Sequence, residues 1–138
     1  MDRSNFSDLN KTWIFDLDGT LLKHNGYKYG GDVLLPGVSE FFKTIPKDDK
    51  IIILTARSSE NSEETEKFLS ENQIHFDHII YDLPIGERIL VNDEKPSGLK
   101  TAYAYNLIRD KGLWTPVLRF KIQDSIILIK DFVQLSVL

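Results

Sequence analysis

The chain has no cysteine, which excludes disulfides and thiolate metal centres and leaves nothing that points to a secreted, cross-linked scaffold. It also has no apolar run near the roughly 20 residues needed to cross a bilayer. Its opening stretch, MDRSNFSDLNK, lacks the apolar core of an export signal. The expectation is therefore a cytoplasmic protein without a membrane partner. A basic excess is missing too: 17 Lys and Arg against 21 Asp and Glu leave a net charge of -4. Nucleic acid or an anionic surface bound through bulk charge is thereby disfavoured. What is present is a chain of 138 residues, 41% hydrophobic and 28% charged, without repeats or low-complexity segments. That is the ordinary balance of one globular domain and too short for two, so residues 1–138 are read as a single unit.

The order of elements gives the fold class. Residues 12–15 (TWIF) form a short apolar run ended by Asp16 and read as a buried strand. Residues 19–36, rich in Gly, Tyr and Asn, read as a loop or short hairpin. Pro36-Gly37 opens a helix whose apolar stripe is Val38, Phe41, Phe42 and Ile45, with Pro46 as its stop. Residues 51–54 (IIIL) are a second buried strand. Residues 58–71 read as an exposed helix with Asn61 and Glu64 at capping-box spacing and Phe68 and Leu69 facing inward. Residues 78–81 and 88–91 read as third and fourth strands, and residues 101–107, alternating small and large, as a further strand rather than a helix. Beyond Leu113, residues 117–120 and 126–129 fit a hairpin, and the final FVQLSVL fits packing against another subunit, hence a possible homo-oligomer. Strands separated by helices imply crossovers and a parallel sheet: an α/β protein with a three-layer α/β/α, Rossmann-like core.

The central chemical signal is FDLDGT, residues 15–20. A buried strand delivers two carboxylates, Asp16 and Asp18, to the carboxyl edge of the sheet, where open α/β sheets bind ligands. Acids this close repel unless a cation lies between them, so a hard metal, most simply Mg²⁺, is expected. Gly19 allows a sharp turn that can expose amide N–H groups to an anion.

DLDGT after a hydrophobic strand resembles the first signature of the haloacid dehalogenase (HAD) superfamily of phosphatases. The resemblance implies that Asp16 is the nucleophile that forms an aspartyl-phosphate, and that Asp18 protonates the leaving alcohol and later activates water. Thr55, after the strand IIIL, resembles the second signature, whose hydroxyl donates to a phosphoryl oxygen. The following Ala56 and Arg57 complete an LTAR sequence similar to the sugar-phosphate branches; Arg57 reads either as a substrate contact or as a solvated surface residue. Asp93, after ILVN, matches the fourth signature, so the implied Mg²⁺ ligands are Asp16, Asp18 and Asp93, with Asn92 where the family often has a second acid. Gly19, Thr20, Ala56, Arg57 and Arg88 fall on the substrate side.

The third signature, a cation that offsets the phosphoryl charge, is not matched at its usual place, since residues 83–88 (LPIGER) hold no lysine. Lys95 is favoured over Arg88, with Lys100 behind both. Four signatures in order span residues 16–96, and the stretch NDEKPSGLKTAYAYNL further resembles small HAD proteins among bacterial capsule and surface-polysaccharide genes. Between Asp18 and Thr55 lie only 36 residues, too few for a cap domain, so a capless enzyme with an open site is expected. The loop at residues 23–31 is placed to overhang it. The implied reaction is hydrolysis of a small phosphate monoester such as a sugar phosphate. Two other readings are kept open. One is a HAD scaffold that binds or regulates without turnover. The other is a receiver-type domain phosphorylated on Asp82.

Overall fold

The computed structural model describes residues 6–113 together with the backbone strands at 120–122 and 125–127. The element order is β1 (Thr12–Asp16), α1 (Val38–Lys43), β2 (Lys50–Leu54), α2 (Ser62–Glu71), β3 (His78–Ile80), β4 (Phe120–Ile122) and β5 (Ser125–Ile127). Three parallel strands in the order β1-β2-β3 make the main sheet, with Asp16 beside Leu54 and Leu54 beside Ile80 at the carboxyl ends. The α/β class and the parallel sheet are as expected from the sequence, and no cap domain is evident among the described residues.

The sheet forms because its apolar residues alternate. Phe15, Ile51 and Ile53 are buried on one face, whereas Ile14 is 50% and Ile80 47% exposed on the other. Sequential strand order with right-handed crossovers carries both connecting helices to the same face. Val38, Phe41 and Phe42 of α1 and Leu69 of α2 accordingly share one core with Phe15, Ile51 and Ile53. Aromatic edges lock α1 to β1: Phe41 meets Trp13 and Phe15 at near-right angles, with centroids 5.7 and 5.9 Å apart. Two buried or half-buried carboxylates tie the strand starts together. Asp49 accepts from the Lys11 amide and Trp13 Nε1, and Asp77 accepts from the Ile51 amide.

Gly37, at φ 77°, turns the chain into α1, and Thr44 ends it by donating its hydroxyl to the Phe41 carbonyl at 2.6 Å. The start of α2 departs from the capping box. Asn61 makes no side-chain cap; Ser58 instead accepts from the Glu60 amide, and a 3₁₀ turn at Ser59–Asn61 leads into the helix. Asp82, held at φ 60°, accepts from the Ser59 amide through both oxygens, at 3.2 and 3.3 Å.

Two predicted strands are absent. Residues 84–98 form no strand and are exposed throughout, with Ile89 84%, Leu90 62% and Val91 89% accessible. An apolar run is read as a strand on the premise that it is buried, and here that premise fails. Residues 101–107 form no strand either. The alternation seen there is real, because Tyr105 and Leu107 pack on the core while Ala104 and Asn106 face out. The segment packs on the core without forming a strand. In the C-terminal part, β4 and β5 pair antiparallel, Phe120 opposite Ile127, as the expected hairpin requires. Residues 117–119, 128–129 and the final seven lie outside the described residues.

Candidate functional site

The DLDGT loop is built around its own leucines. Leu17, Leu21 and Leu22 are fully buried, so the residue between the two acids points into the core. Alternation along the extended chain then turns Asp16 and Asp18 the other way. The Leu17 carbonyl accepts from the amides of Thr20, Leu21 and Leu22, and the Gly19 amide donates to the Leu22 carbonyl at 2.6 Å. Gly19 sits at φ 85°, in the left-handed region that side-chain-bearing residues avoid. From Leu21–Lys23 the chain returns antiparallel along Val33–Leu35, the short hairpin expected of this stretch.

Asp16 is held at both oxygens. Thr20 Oγ1 donates to Oδ2 at 3.0 Å, and Arg88 Nη1 donates to Oδ1 at 2.7 Å. Thr55, at the end of β2, is 1% exposed. Its hydroxyl oxygen accepts from the Arg57 amide at 3.0 Å, which leaves its O–H free to donate elsewhere. Ala56 is exposed between them. Lys95 stands in the exposed segment, on a turn closed by the Gly98 amide to its carbonyl. The geometry thus brings Arg88, and not Lys95, to the expected nucleophile.

Arg57 is neither on the surface nor open to a ligand. It is 2% exposed, and its five N–H donors make five bonds. Nε and Nη2 reach both oxygens of Asp18 at 3.0 and 2.8 Å, and Nη1 and Nη2 reach both oxygens of Asp32 at 3.0 and 2.7 Å. Nη1 also donates to Thr65 Oγ1 at 3.0 Å. The ring of Tyr27 covers the guanidinium face at 4.1 Å. Burial alone would pull the Arg57 pKa down, but the hydrogen bonds and charges of Asp18 and Asp32 outweigh it and raise it further. The nearby Tyr81 hydroxyl is also pushed up, by burial and by Glu66, to which it donates at 3.2 Å. Asp32, Thr65 and Tyr27's stacking role are absent from the sequence reading, because nothing in the chain announces that Arg57 is buried.

The loop at residues 23–31 folds back rather than merely overhanging. A 3₁₀ turn at Gly26–Lys28 turns Tyr27 inward, while Tyr29 is 80% exposed. The His24 amide donates to Asp110 Oδ1, and the Asp110 amide to the Gly19 carbonyl. Arg109 therefore lies against the signature loop, its Cγ 3.1 Å from where a Cβ on Gly19 would stand. This approach of a distant segment also has no signal in the sequence.

For Mg²⁺, Asp16 and Asp18 are oxygen donors of the type a hard cation takes. The third expected ligand is not with them. Asp93 lies in the exposed segment, its carbonyl receiving the Thr101 hydroxyl, and Asn92 Nδ2 donates to Thr101 Oγ1 at 3.0 Å. Among the described residues no three of His, Cys, Asp and Glu come together as a metal centre, so the full predicted ligand set does not fit as arranged. Asp82 follows β3, and its carboxylate accepts from the Ser59 amide in the turn before α2. No helix among the described residues is long and apolar enough to cross a membrane.

Comparison with known proteins bears on this geometry. Searches of curated proteins and of solved structures found no match. A family model described as NLI interacting factor-like phosphatase matches residues 11–83. The match begins just before β1, takes in DLDGT, Thr55 and Arg57, and ends after β3, leaving Arg88 and Asp93 beyond it. It covers more than half of the 138 residues, and the chain belongs to this family of HAD-like phosphatases.

Proposed function

We propose that the chain hydrolyses phosphate monoesters through an aspartyl-phosphate on Asp16, in a site without a cap. The observation that supports this most is the pair Asp16 and Asp18 turned out of the core by buried Leu17 at the carboxyl end of β1, beside Thr55 at the end of β2. A carboxylate oxygen of Asp16 attacks phosphorus. The Thr55 hydroxyl donates to a phosphoryl oxygen, and Asp18 gives its proton to the leaving oxygen, then takes one from the attacking water. Arg88 fits the role of the charge-offsetting cation better than Lys95, because it already sits 2.7 Å from the oxygen that would attack. On phosphate arrival it needs only to move from Asp16 to the ligand. Catalysis of this kind rests on positioning and charge neutralisation.

Mg²⁺ is the cofactor implied by the family; Asp16 could hold it, whereas both side-chain oxygens of Asp18 already accept from Arg57. Asp93 and Asn92 stand in the exposed segment, where Asn92 donates to Thr101, and do not join Asp16 in this arrangement. The substrate is a phosphorylated small molecule or protein; LTAR favours a sugar phosphate. The test is release of phenol from an aryl phosphate with Mg²⁺, with EDTA, and by Asp16→Asn. Release that needs the metal and disappears with the substitution supports the reading. Absence of turnover on aryl and natural esters alike sinks it in favour of a binding module.

A further inference from the structure

Asp32 belongs to no signature, yet it is the second carboxylate of the buried cluster around Arg57. The side chains of Arg57, Asp32 and Asp18 are 1%, 8% and 17% exposed, so Asp18 is the member open to a substrate and the other two stand behind it. We propose that Asp32, acting through Arg57, is a positioning residue that fixes the carboxylate of Asp18 for proton transfer with the substrate's bridging oxygen. The inference rests on the phosphatase reading above.

A guanidinium is planar and rigid, and a bidentate pair fixes the plane of its carboxylate as well as its position. Arg57 holds Asp18 in this way through Nε and Nη2. Its opposite edge is held by both oxygens of Asp32, Nη1 is also fixed by Thr65, and one face is covered by Tyr27. Removing Asp32 leaves Arg57 with unmet donors and freedom to swing, and Asp18 swings with it. A misplacement of about 1 Å can cost roughly 100-fold in rate. The donors are exhausted on protein, so Arg57 itself is not a substrate contact.

A purely structural cluster would affect all substrates alike; a positioning one would not. In the first step the Asp16 oxygen bonds to phosphorus and the ester P–O bond breaks. The leaving oxygen keeps the electron pair and takes the proton of Asp18. An alkoxide needs that proton, whereas a nitrophenolate leaves without it. The ratio of kcat/KM for an alkyl ester to that for an aryl ester therefore reports the placement of Asp18.

The experiment measures kcat/KM of the full chain on p-nitrophenyl phosphate and on glycerol 2-phosphate, with melting temperatures, for wild type, Asp32→Ala and Asp32→Asn. Asp32→Ala is expected to lose about 10- to 100-fold on the alkyl ester and no more than about threefold on the aryl ester. Asp32→Asn keeps an acceptor oxygen and recovers part of the loss. Should Asp32→Ala not fold, Tyr27→Leu uncovers the same guanidinium and is expected to shift the ratio in the same direction. Equal losses on both esters, or none, overturn the inference while the phosphatase reading survives. A wild type inert on both esters overturns the reading itself.

Discussion

Arg88 and Lys95 are seven positions apart and differ in what they touch. Arg88 donates to Asp16 at 2.7 Å, while Lys95 stays in the exposed segment. If Arg88 carries the phosphoryl charge, Arg88→Ala raises KM for a phosphate ester about 10-fold or more, the size of a lost charged hydrogen bond. Lys95→Ala is expected to leave KM within about twofold. Steady-state kinetics on the two variants decide the matter, and the reverse pattern would restore the lysine. Gly19 is the other position where one atom matters. A Cβ there meets Arg109 Cγ at 3.1 Å, and the backbone is at φ 85°. Gly19→Ala should cost about 1–2 kcal/mol, read as a lowered melting temperature. At this scale Asp16, Asp18 and Thr55 were legible because each ends or follows an apolar strand. Arg57 was not: its burial depends on Asp32 and Thr65, 25 and 8 positions away, and no local pattern encodes such a meeting.

The short elements were read correctly where periodicity and punctuation agreed. Val38, Phe41 and Phe42 between Pro36-Gly37 and Pro46 form the expected amphipathic helix, and TWIF and IIIL form the expected strands, although only one face of the sheet is buried and Ile14 is 50% exposed. They failed where burial was assumed from apolarity, as in residues 88–91, or pairing from alternation, as in 101–107. The start of α2 shows the same limit on a smaller scale. Asn61 has the right spacing to cap, but Ser58 and Asp82 reach the open amides first. Ser58→Ala should therefore cost about 0.5–1 kcal/mol and Asn61→Ala almost nothing, by the usual worth of a cap. Denaturant titration of the two variants separates them. Leu69, fully buried against the sheet, sets the scale of what packing contributes: Leu69→Ala should cost about 2–5 kcal/mol.

At the scale of the whole molecule, the sheet order β1-β2-β3 places one core on one face and brings Asp16, at the end of β1, and Thr55, just after β2, to the same edge. The strands must stay in register for Asp16 to remain beside Leu54, and polar ties near their starts help to hold that register. Asp77 is one of them. The Ile51 amide, donating at 2.8 Å, holds its carboxyl below the ordinary 3.8, with Lys50 and His75 adding to the effect against the opposing pull of burial. The sign follows from linkage: a carboxyl depressed by folding stabilises the native state above its unfolded pKa, and that contribution is lost as pH falls through the lower native value. The stability of the chain should accordingly drop below about pH 4, and Asp77→Asn should be less stable than wild type at pH 7. The difference between the two should shrink as pH falls from 4 towards 2, because protonated Asp77 has lost what the variant lacks. Urea titrations at pH 7 and pH 3 measure both gaps. A difference that stays constant would mean that Asp77 contributes through its shape and not through its charge.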